Sequence, residues 1–247
     1  MRELTQYLSN VVTDVTRTAE NAAPFARPGV TTHPIPFFGD PTAATVLTVG
    51  VNPSAREFIR RSWPDHMSVG ELQARLVGYF NRRDAPPHRW FSTWSEALRK
   101  LPASYQSGAA HLDLSARPTA AMSSIADWQA FARLVEADVR WFFKLLPLCK
   151  NAKVLLMAGC VTKRWYMHDF IARVAPCYEY NLTGNADSTG EGRVGFLRLR
   201  GSAIDLPVFF CSVSPSGNKR RLLVERVADH APTISKWFWP KQPEPAT

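Results

Sequence analysis

The stretch VFFCSVSPSGNKRR, from Val208 to Arg221, joins a run of apolar residues to a turn of small residues and then to a basic cluster. The Val, Phe and Cys residues are typical of a buried strand, and Ser-Pro-Ser-Gly is typical of a tight turn. One interpretation is a strand-to-helix connection whose helix begins in solvent. The alternative is a loop that approaches a negatively charged partner.

Three similar apolar runs occur earlier in the chain, each followed by a helical pattern. The four predicted core strands are Thr45–Val51, Ala109–Ser115, Lys153–Gly159 and Pro207–Val213, with an extra edge strand expected within Asn181–Gly201. Short apolar runs separated by helices indicate a parallel sheet covered on both faces. The predicted fold is therefore α/β, a three-layer α/β/α sandwich with a central, mainly parallel four-stranded sheet. We expect a single domain over residues 1–247, with its core at 45–230.

Apolar residues at helical spacing predict the helices between these strands. They are an N-terminal helix within residues 1–25, a long helix from about Ser124 to Leu146, one through Thr162–Val174 and one from about Asn218 to His230. The spacing of Ser68 with Glu71, and of Thr93 with Glu96, predicts a capping box at two further helix starts.

Composition limits the classes of partner. The 247 residues carry 30 Lys and Arg against 21 Asp and Glu, a net charge of +9. This excess favours an anionic partner, nucleic acid first, although ordinary enzymes also have basic surfaces. The opening MRELTQYLSN lacks the apolar segment of a signal peptide, and no apolar run approaches the roughly 20 residues of a membrane span. We expect a cytoplasmic protein with no membrane partner.

The four cysteines are Cys149, Cys160, Cys177 and Cys211. They are widely spaced and follow no metal-ligand pattern, which predicts reduced thiols, no metal and no cofactor. Cys160 and Cys211 lie in apolar runs and are expected to be buried.

Ligands of such sheets bind at the carboxyl ends of the strands. Strand alternation places His111, Asp113 and Ser115 on one face, with leucines on the other. An Asp in a central strand is costly unless it is paired, so Asp113 either caps a neighbouring element or reads a ligand. Asn52 by itself could simply close a strand with an Asx-turn, and the basic cluster could be a solvated helix start. The functional interpretation is favoured because all three features converge on one edge.

Three segments together resemble the uracil-DNA glycosylase superfamily. VLTVGVNPS (Val46–Ser54) resembles its first motif, a strand ending in Gly-x-Asn/Asp-Pro, in the Asn form of the mismatch-specific and single-strand-selective branches. CSVSPSGNKR (Cys211–Arg220) is similar to the second motif, a strand ending in His/Asn-Pro-Ser-Pro/Gly. LDLSARP (Leu112–Pro118) falls where the family has a strand with a base-reading Asn. The order and spacing match from about Thr45 to Arg221.

The resemblance implies a role for each matching residue. Asn52 would position a water, and Ser214 stands where the family has a His or Asn that donates to the pyrimidine O2 atom. An aromatic side chain would stack on the flipped base, with Phe58, Trp90 and Phe91 as candidates. The residues expected to contact DNA are Pro53, Ser54, Arg117, Pro215, Ser216, Gly217, Asn218, Lys219, Arg220 and Arg221.

Two positions depart from the family pattern, Asp113 for Asn and Ser214 for His or Asn. An Asn reads uracil by donating to O4 and accepting from N3–H, whereas cytosine presents the reverse pattern. A protonated carboxyl accepts from the N4 amine and donates to N3, and burial favours the protonated form. Asp113 therefore predicts excision of a cytosine-type base.

An enzyme that removed ordinary cytosine would destroy its host's genome. The expected substrate is therefore a modified cytosine, such as 5-hydroxymethylcytosine or its glucosylated form, with a possible defence role against phage DNA. We expect a monomer that flips the base out of DNA and needs no cofactor. Three alternatives stay open: a uracil or 5-hydroxymethyluracil repair glycosylase, a non-catalytic DNA-binding module, and a nucleotide or small-molecule enzyme. The last alternative is supported neither by a P-loop nor by a GxGxxG motif that follows a strand and opens a helix.

Overall fold

The computed structural model describes residues 2–17, 32–60, 63–82, 87–119, 127–159, 170–171, 178–182, 192–199, 205–215 and 217–238. The helices in these ranges are α1 Arg2–Arg17, α2 Glu57–Arg60, α3 Val69–Val77, α4 Arg89–Leu98, α5 Trp128–Leu145 and α6 Arg220–Ser235. The strands are β1 Phe37–Phe38, β2 Val46–Gly50, β3 Ala109–Asp113, β4 Val154–Ala158, β5 Tyr178–Leu182, β6 Gly192–Leu199 and β7 Asp205–Cys211.

The strands form one mixed sheet in the order β1-β3-β2-β4-β7-β6-β5. The inner strands β3, β2, β4 and β7 are parallel, as the apolar runs predicted. The antiparallel strand β1 covers one edge, and β6 and β5 extend the other. The α/β class is confirmed, but a sheet of four strands is wrong because the described sheet has seven.

The additional strands lack the signal that predicted the core strands. β1 has only two residues and follows two prolines, so it is too short to recognise as an apolar run. β6 lies within the segment predicted to hold an extra edge strand, but β5 begins before that segment, at Tyr178, and takes the edge position. Because β5 mixes Glu179 and Asn181 with apolar residues, it does not resemble a strand buried on both faces.

Burial agrees with a sheet that is covered on both faces. Every residue of β2, β3 and β4 is buried. The helices contact one another in two sets, α4 with α6 and α1 with both α3 and α5. This arrangement is compatible with three layers. Among the described helices, none combines the length and the apolar character that crossing a membrane requires.

Local signals at the helix starts were partly correct. The capping box of Ser68 and Glu71 is present, with the Glu71 amide donating to Ser68 Oγ at 3.2 Å. The box predicted for Thr93 is wrong because α4 begins one turn earlier, where His88 Nδ1 accepts from the Trp90 amide at 3.2 Å. Asp127 caps α5, so this helix begins at Trp128 instead of Ser124.

Several predictions concern residues outside the described ranges. Helix α1 confirms the N-terminal helix as far as Arg17, and residues 18–25 lie outside the description. The helix predicted over Thr162–Val174 is described only at residues 170–171. Cys149 and Cys211 are buried free thiols, whereas Cys160 and Cys177 are not described.

Candidate active site at the carboxyl ends of the parallel strands

The segments that follow β2 and β3 lie side by side. Gly50 and Asp113 are partners in register at the ends of these strands. Beyond them the Thr119 amide donates to the Pro53 carbonyl at 3.1 Å, and the Ala55 amide donates to the Thr119 carbonyl at 2.8 Å. The first predicted motif therefore packs against the loop that leaves Asp113.

This loop fixes the orientation of Asn52. The Asn52 side-chain nitrogen lies 3.1 Å from the Arg117 carbonyl, 3.0 Å from the Pro53 carbonyl and 2.7 Å from Thr119 Oγ1. Carbonyl oxygens can only accept, so the amide nitrogen must face them. The Asn52 amide oxygen points away and accepts no hydrogen bond from the described part of the chain. It is the group that could hold a water, as predicted for this position.

Asp113 is buried, with a side chain that is only 1% exposed. Its Oδ1 atom lies 3.2 Å from His111 Nε2, whereas Oδ2 has no hydrogen-bond partner among the described residues. Burial raises the pKa of Asp113 above its ordinary value, and the neighbouring His111 only partly opposes this. A buried carboxyl oxygen without a partner is costly and rare in folded proteins. Oδ2 of Asp113 can therefore bind a ligand at this strand end.

A buried chain of hydrogen bonds leads to Asp113 from inside the sheet. His111 Nδ1 lies 3.0 Å from Thr48 Oγ1, and this hydroxyl lies 2.7 Å from the Tyr105 hydroxyl. Burial also raises the pKa of Tyr105 well above its ordinary value, so its phenol stays protonated. The sequence predicted that His111 and Asp113 share a face, but it did not predict Thr48 and Tyr105 as partners.

Gly50 makes room for the His111–Asp113 pair. A Cβ atom at this position would lie 2.7 Å from Asp113 Oδ1 and 2.9 Å from His111 Nε2. We expect Gly50→Ala to lower the free energy of unfolding by about 1–3 kcal/mol, because both buried side chains must move. Urea unfolding measures this change.

Gly70 in α3 is the matched control for that substitution. It is exposed, and its nearest neighbour would be Ser68 Oγ at 4.0 Å from the new Cβ. Gly70→Ala should leave stability unchanged or raise it by up to about 1 kcal/mol. An equal loss in both variants would show that Gly50 has no special steric role.

The second motif reaches the same edge through β4 and α4. Gly159, at a φ of 88°, would place a Cβ only 3.5 Å from the Ser214 Cα atom. Thr93 Oγ1 donates to the Pro215 carbonyl at 2.8 Å. On the same helix, the Trp90 ring centroid lies 4.4 Å from that of His111. Helix α4 therefore connects the Ser-Pro turn to the neighbourhood of Asp113. The sequence did not reveal that Thr93 makes this connection.

Basic residues surround the start of α6. Asn218, Lys219 and Arg221 are exposed and Arg220 is half-buried. The first turn of α6 holds no acidic residue, and Lys219 at the N-cap makes no side-chain capping bond. Basic side chains at the N-terminus of a helix are repelled by the partial positive charge of the helix dipole. A bound anion would relieve that repulsion. The basic residues Lys219, Arg220 and Arg221, which were predicted to contact phosphates, are thus at least partly accessible, whereas Ser216 of the preceding turn lies outside the described residues.

Arg117 was wrongly predicted to contact DNA. Its side chain is 6% exposed, and its Nε and Nη2 atoms donate to the Asp138 carboxylate at 2.7 and 3.1 Å. Its Nη1 atom donates to the Val15 carbonyl at 3.2 Å. The guanidinium holds the loop after β3 against α5 and α1, and cannot reach a phosphate.

Burial also corrects the expectations for three apolar residues. Phe91 is only 4% exposed and packs against Phe80, Tyr105 and His111, so its face cannot receive a base. Pro53 and Pro215 are buried as well, so their rings do not lie on the surface that was predicted to meet DNA. Ser54, Ser214 and Gly217 remain at least partly exposed.

Two aromatic candidates remain for stacking on a base. Phe58 is half-buried and packs on Trp63, with ring centroids 5.0 Å apart. Trp90 is also half-buried and touches His111, the partner of Asp113. Trp90 is the nearer of the two to the His111–Asp113 pair, because its ring contacts that of His111. The sequence also missed Glu57, a buried carboxylate that accepts from the Tyr79 hydroxyl at 2.6 Å.

No protein-family model and no curated protein matches this chain. Within the described ranges, no three His, Cys, Asp or Glu side chains are grouped so that they could hold a metal ion. A function must therefore be inferred from the geometry of the strand ends.

Proposed function

We propose that this chain is a DNA glycosylase, with the fold of the uracil-DNA glycosylase superfamily, that excises a modified cytosine. The observation that carries the proposal is the buried Oδ2 atom of Asp113, which lacks a partner at the strand end beside an oriented Asn52. The mixed sheet, in which the four inner strands are parallel, supports it.

The proposed base recognition follows from hydrogen-bonding capacity. A protonated Asp113 can donate to N3 of cytosine and accept from its N4 amine. The raised pKa of Asp113 supports the protonated form. Uracil instead presents an N3–H donor and an O4 acceptor. The O–H of the protonated Asp113 would then face the N3–H, so that two donors oppose each other. An Asp at this position thus favours cytosine-type bases over uracil-type bases.

In the proposed reaction, the oxygen of a water bonds to C1′ while the C1′–N1 bond breaks. The electron pair of that bond moves into the base, and N3 takes the proton of Asp113, so the base leaves as a neutral molecule. The Asn52 amide oxygen aims the water but cannot take up its proton. That proton passes to the Asp113 carboxylate, directly or through solvent, which restores the starting state.

Binding of DNA is assigned to the exposed start of α6. Lys219, Arg220 and Arg221 supply positive charge beside the Ser-Pro turn, and the net charge of +9 adds a long-range attraction. Contacts of this kind hold the phosphates without reading sequence. The flipped base would enter between this turn and the end of β3, where Trp90 can stack on it.

A panel of duplexes tests the proposal. Each carries one uracil, 5-hydroxymethyluracil, cytosine, 5-hydroxymethylcytosine or glucosylated 5-hydroxymethylcytosine, and alkali after incubation breaks any abasic site. We expect strand breaks only at a modified cytosine. Equal cleavage at ordinary cytosine, or cleavage at uracil-type bases alone, would contradict the proposed substrate.

A binding module without catalysis is the second candidate. It is favoured by Ser214, an exposed short side chain where the resemblance calls for a His or Asn that donates to O2. Salt-sensitive binding of the panel without any strand break is the result expected of such a module. Absence of both binding and cleavage would contradict both candidates.

A further inference from the structure

The buried chain Tyr105–Thr48–His111 ends on one oxygen of Asp113 and leaves the other without a partner. We propose that these hydrogen bonds determine where two protons lie. They fix the hydrogen of His111 on Nε2 and thereby confine the Asp113 proton to Oδ2. The choice between cytosine-type and uracil-type bases would then depend on Thr48, which contacts no base.

The direction of the chain follows from counting donors and acceptors. The Tyr105 hydroxyl is buried, and Thr48 Oγ1 at 2.7 Å is its hydrogen-bond partner in the described residues. A buried phenol without an acceptor is costly, so Tyr105 donates to Thr48. Thr48 keeps a single proton of its own to donate.

Two acceptors compete for the Thr48 proton. His111 Nδ1 lies at 3.0 Å, whereas the Ala110 carbonyl lies at 3.4 Å. The shorter contact has the better hydrogen-bond geometry, so Thr48 donates to Nδ1. A neutral imidazole that accepts at Nδ1 carries its hydrogen on Nε2.

The same logic passes to the carboxyl group. Nε2–H donates to Asp113 Oδ1, which therefore acts as an acceptor. When the carboxyl is protonated, its hydrogen must lie on Oδ2, the atom that has no protein partner among the described residues. That hydrogen matches the N3 acceptor of cytosine and opposes the N3–H of uracil.

Thr48→Val removes the donor to Nδ1 with little change in shape. The His111 hydrogen can then move to Nδ1, so that Nε2 becomes an acceptor for a proton on Asp113 Oδ1. This shift would leave Oδ2 as an acceptor that suits N3–H. Tyr105→Phe removes the first donor only, and Thr48 can still donate to His111.

Nitrogen-15 NMR of the imidazole side chains tests the position of the hydrogen without any substrate. The chain has six His residues, and the His111→Gln variant identifies the signal of His111. We expect the Nε2–H tautomer near neutral pH in the wild type and in Tyr105→Phe, and a shift toward Nδ1–H in Thr48→Val. An Nδ1–H tautomer or a doubly protonated ring in the wild type would overturn the inference.

The effect on specificity rests on the proposed function and is measured separately with the duplex panel. Thr48→Val should lower the preference for modified cytosine over uracil-type bases by about 10- to 100-fold. The control is Thr45→Val, which loses a 3.0 Å bond to the Gly108 carbonyl at the opposite end of the strand. An unchanged preference in Thr48→Val, with the tautomer shifted, overturns the link to specificity. Failure of the panel with wild-type protein contradicts the proposed function but leaves the tautomer result standing.

Discussion

Asp113→Asn should lower excision of a modified cytosine by at least about 100-fold, within the range of 10²–10⁴ expected for loss of a general acid. An amide has nearly the same shape as the carboxyl but cannot transfer a proton to N3. It can donate to O4 and accept from N3–H, so we expect new activity toward uracil or 5-hydroxymethyluracil. Single-turnover rates on the duplex panel measure both changes. Unchanged rates and an unchanged base preference would contradict the assignment of Asp113 as the group that reads and protonates the base.

The stability of Asp113→Asn, compared with that of the wild type across pH, shows whether its loss of activity reflects altered chemistry or a weakened fold. Because burial raises the pKa of Asp113, the folded chain keeps a proton there after the unfolded chain has released it. The stability that this proton provides is complete below the ordinary carboxyl pKa of about 4, and it is lost as pH rises through the raised value. Asp113→Asn lacks this titration. Its stability relative to the wild type should therefore increase as the pH rises from about 4 towards 8 in urea unfolding.

Arg117→Met should lower the free energy of unfolding by about 3–5 kcal/mol, because it leaves the buried Asp138 carboxylate without its charged partner and with the Ser115 hydroxyl as its remaining described donor. The exposed pair of Arg198 and Asp205, at 2.9 Å, provides the control. Arg198→Met should cost less than about 1 kcal/mol. Arg117→Met/Asp138→Leu removes both charges and should recover at least half of the loss. Urea unfolding measures all three variants, and equal costs for the two single substitutions would contradict a buried structural pair.

The same residue separates a structural arginine from a phosphate contact. Lys219 is exposed at the start of α6, whereas Arg117 is enclosed. Lys219→Ala should weaken DNA binding and reduce its dependence on salt concentration, since each lost phosphate contact releases one counterion fewer. The double variant of Arg117 and Asp138 should leave that salt dependence unchanged. A weaker dependence of DNA binding on salt concentration in the double variant would show that Arg117 does contact DNA.

Local patterns in the sequence were sufficient for the core of the fold. Short apolar runs predicted β2, β3, β4 and β7, because strands buried on both faces are apolar at most positions. Strand alternation placed His111 and Asp113 on one face, and register then set Gly50 opposite Asp113. The edge strand β1 escaped prediction because two residues are too few to form a recognisable apolar run, and β5 escaped because it mixes polar with apolar residues.

Long-range packing decided which candidate residues are accessible. Arg117 and Lys219 look equally suited to a phosphate in the sequence, yet only Arg117 meets a buried carboxylate, 21 residues away on α5. Phe91 and Trp90 are neighbours on α4 and both contact His111, but Phe91 is buried in the aromatic core whereas Trp90 stays half-buried. The burial of a side chain depends on where its helix packs, which residue type alone does not specify.

The sequence by itself determined an α/β fold with parallel core strands and an Asp at the end of β3, because strand and helix periodicity are local properties of neighbouring residues. Only the tertiary structure decided the partners that give this carboxyl its chemistry. Tyr105 and Thr48 are 57 residues apart in the chain, and Thr93 and Pro215 are 122 apart. Hydroxyl groups bond over less than about 3.5 Å, so such pairs exist only once the sheet and helices have brought them into contact.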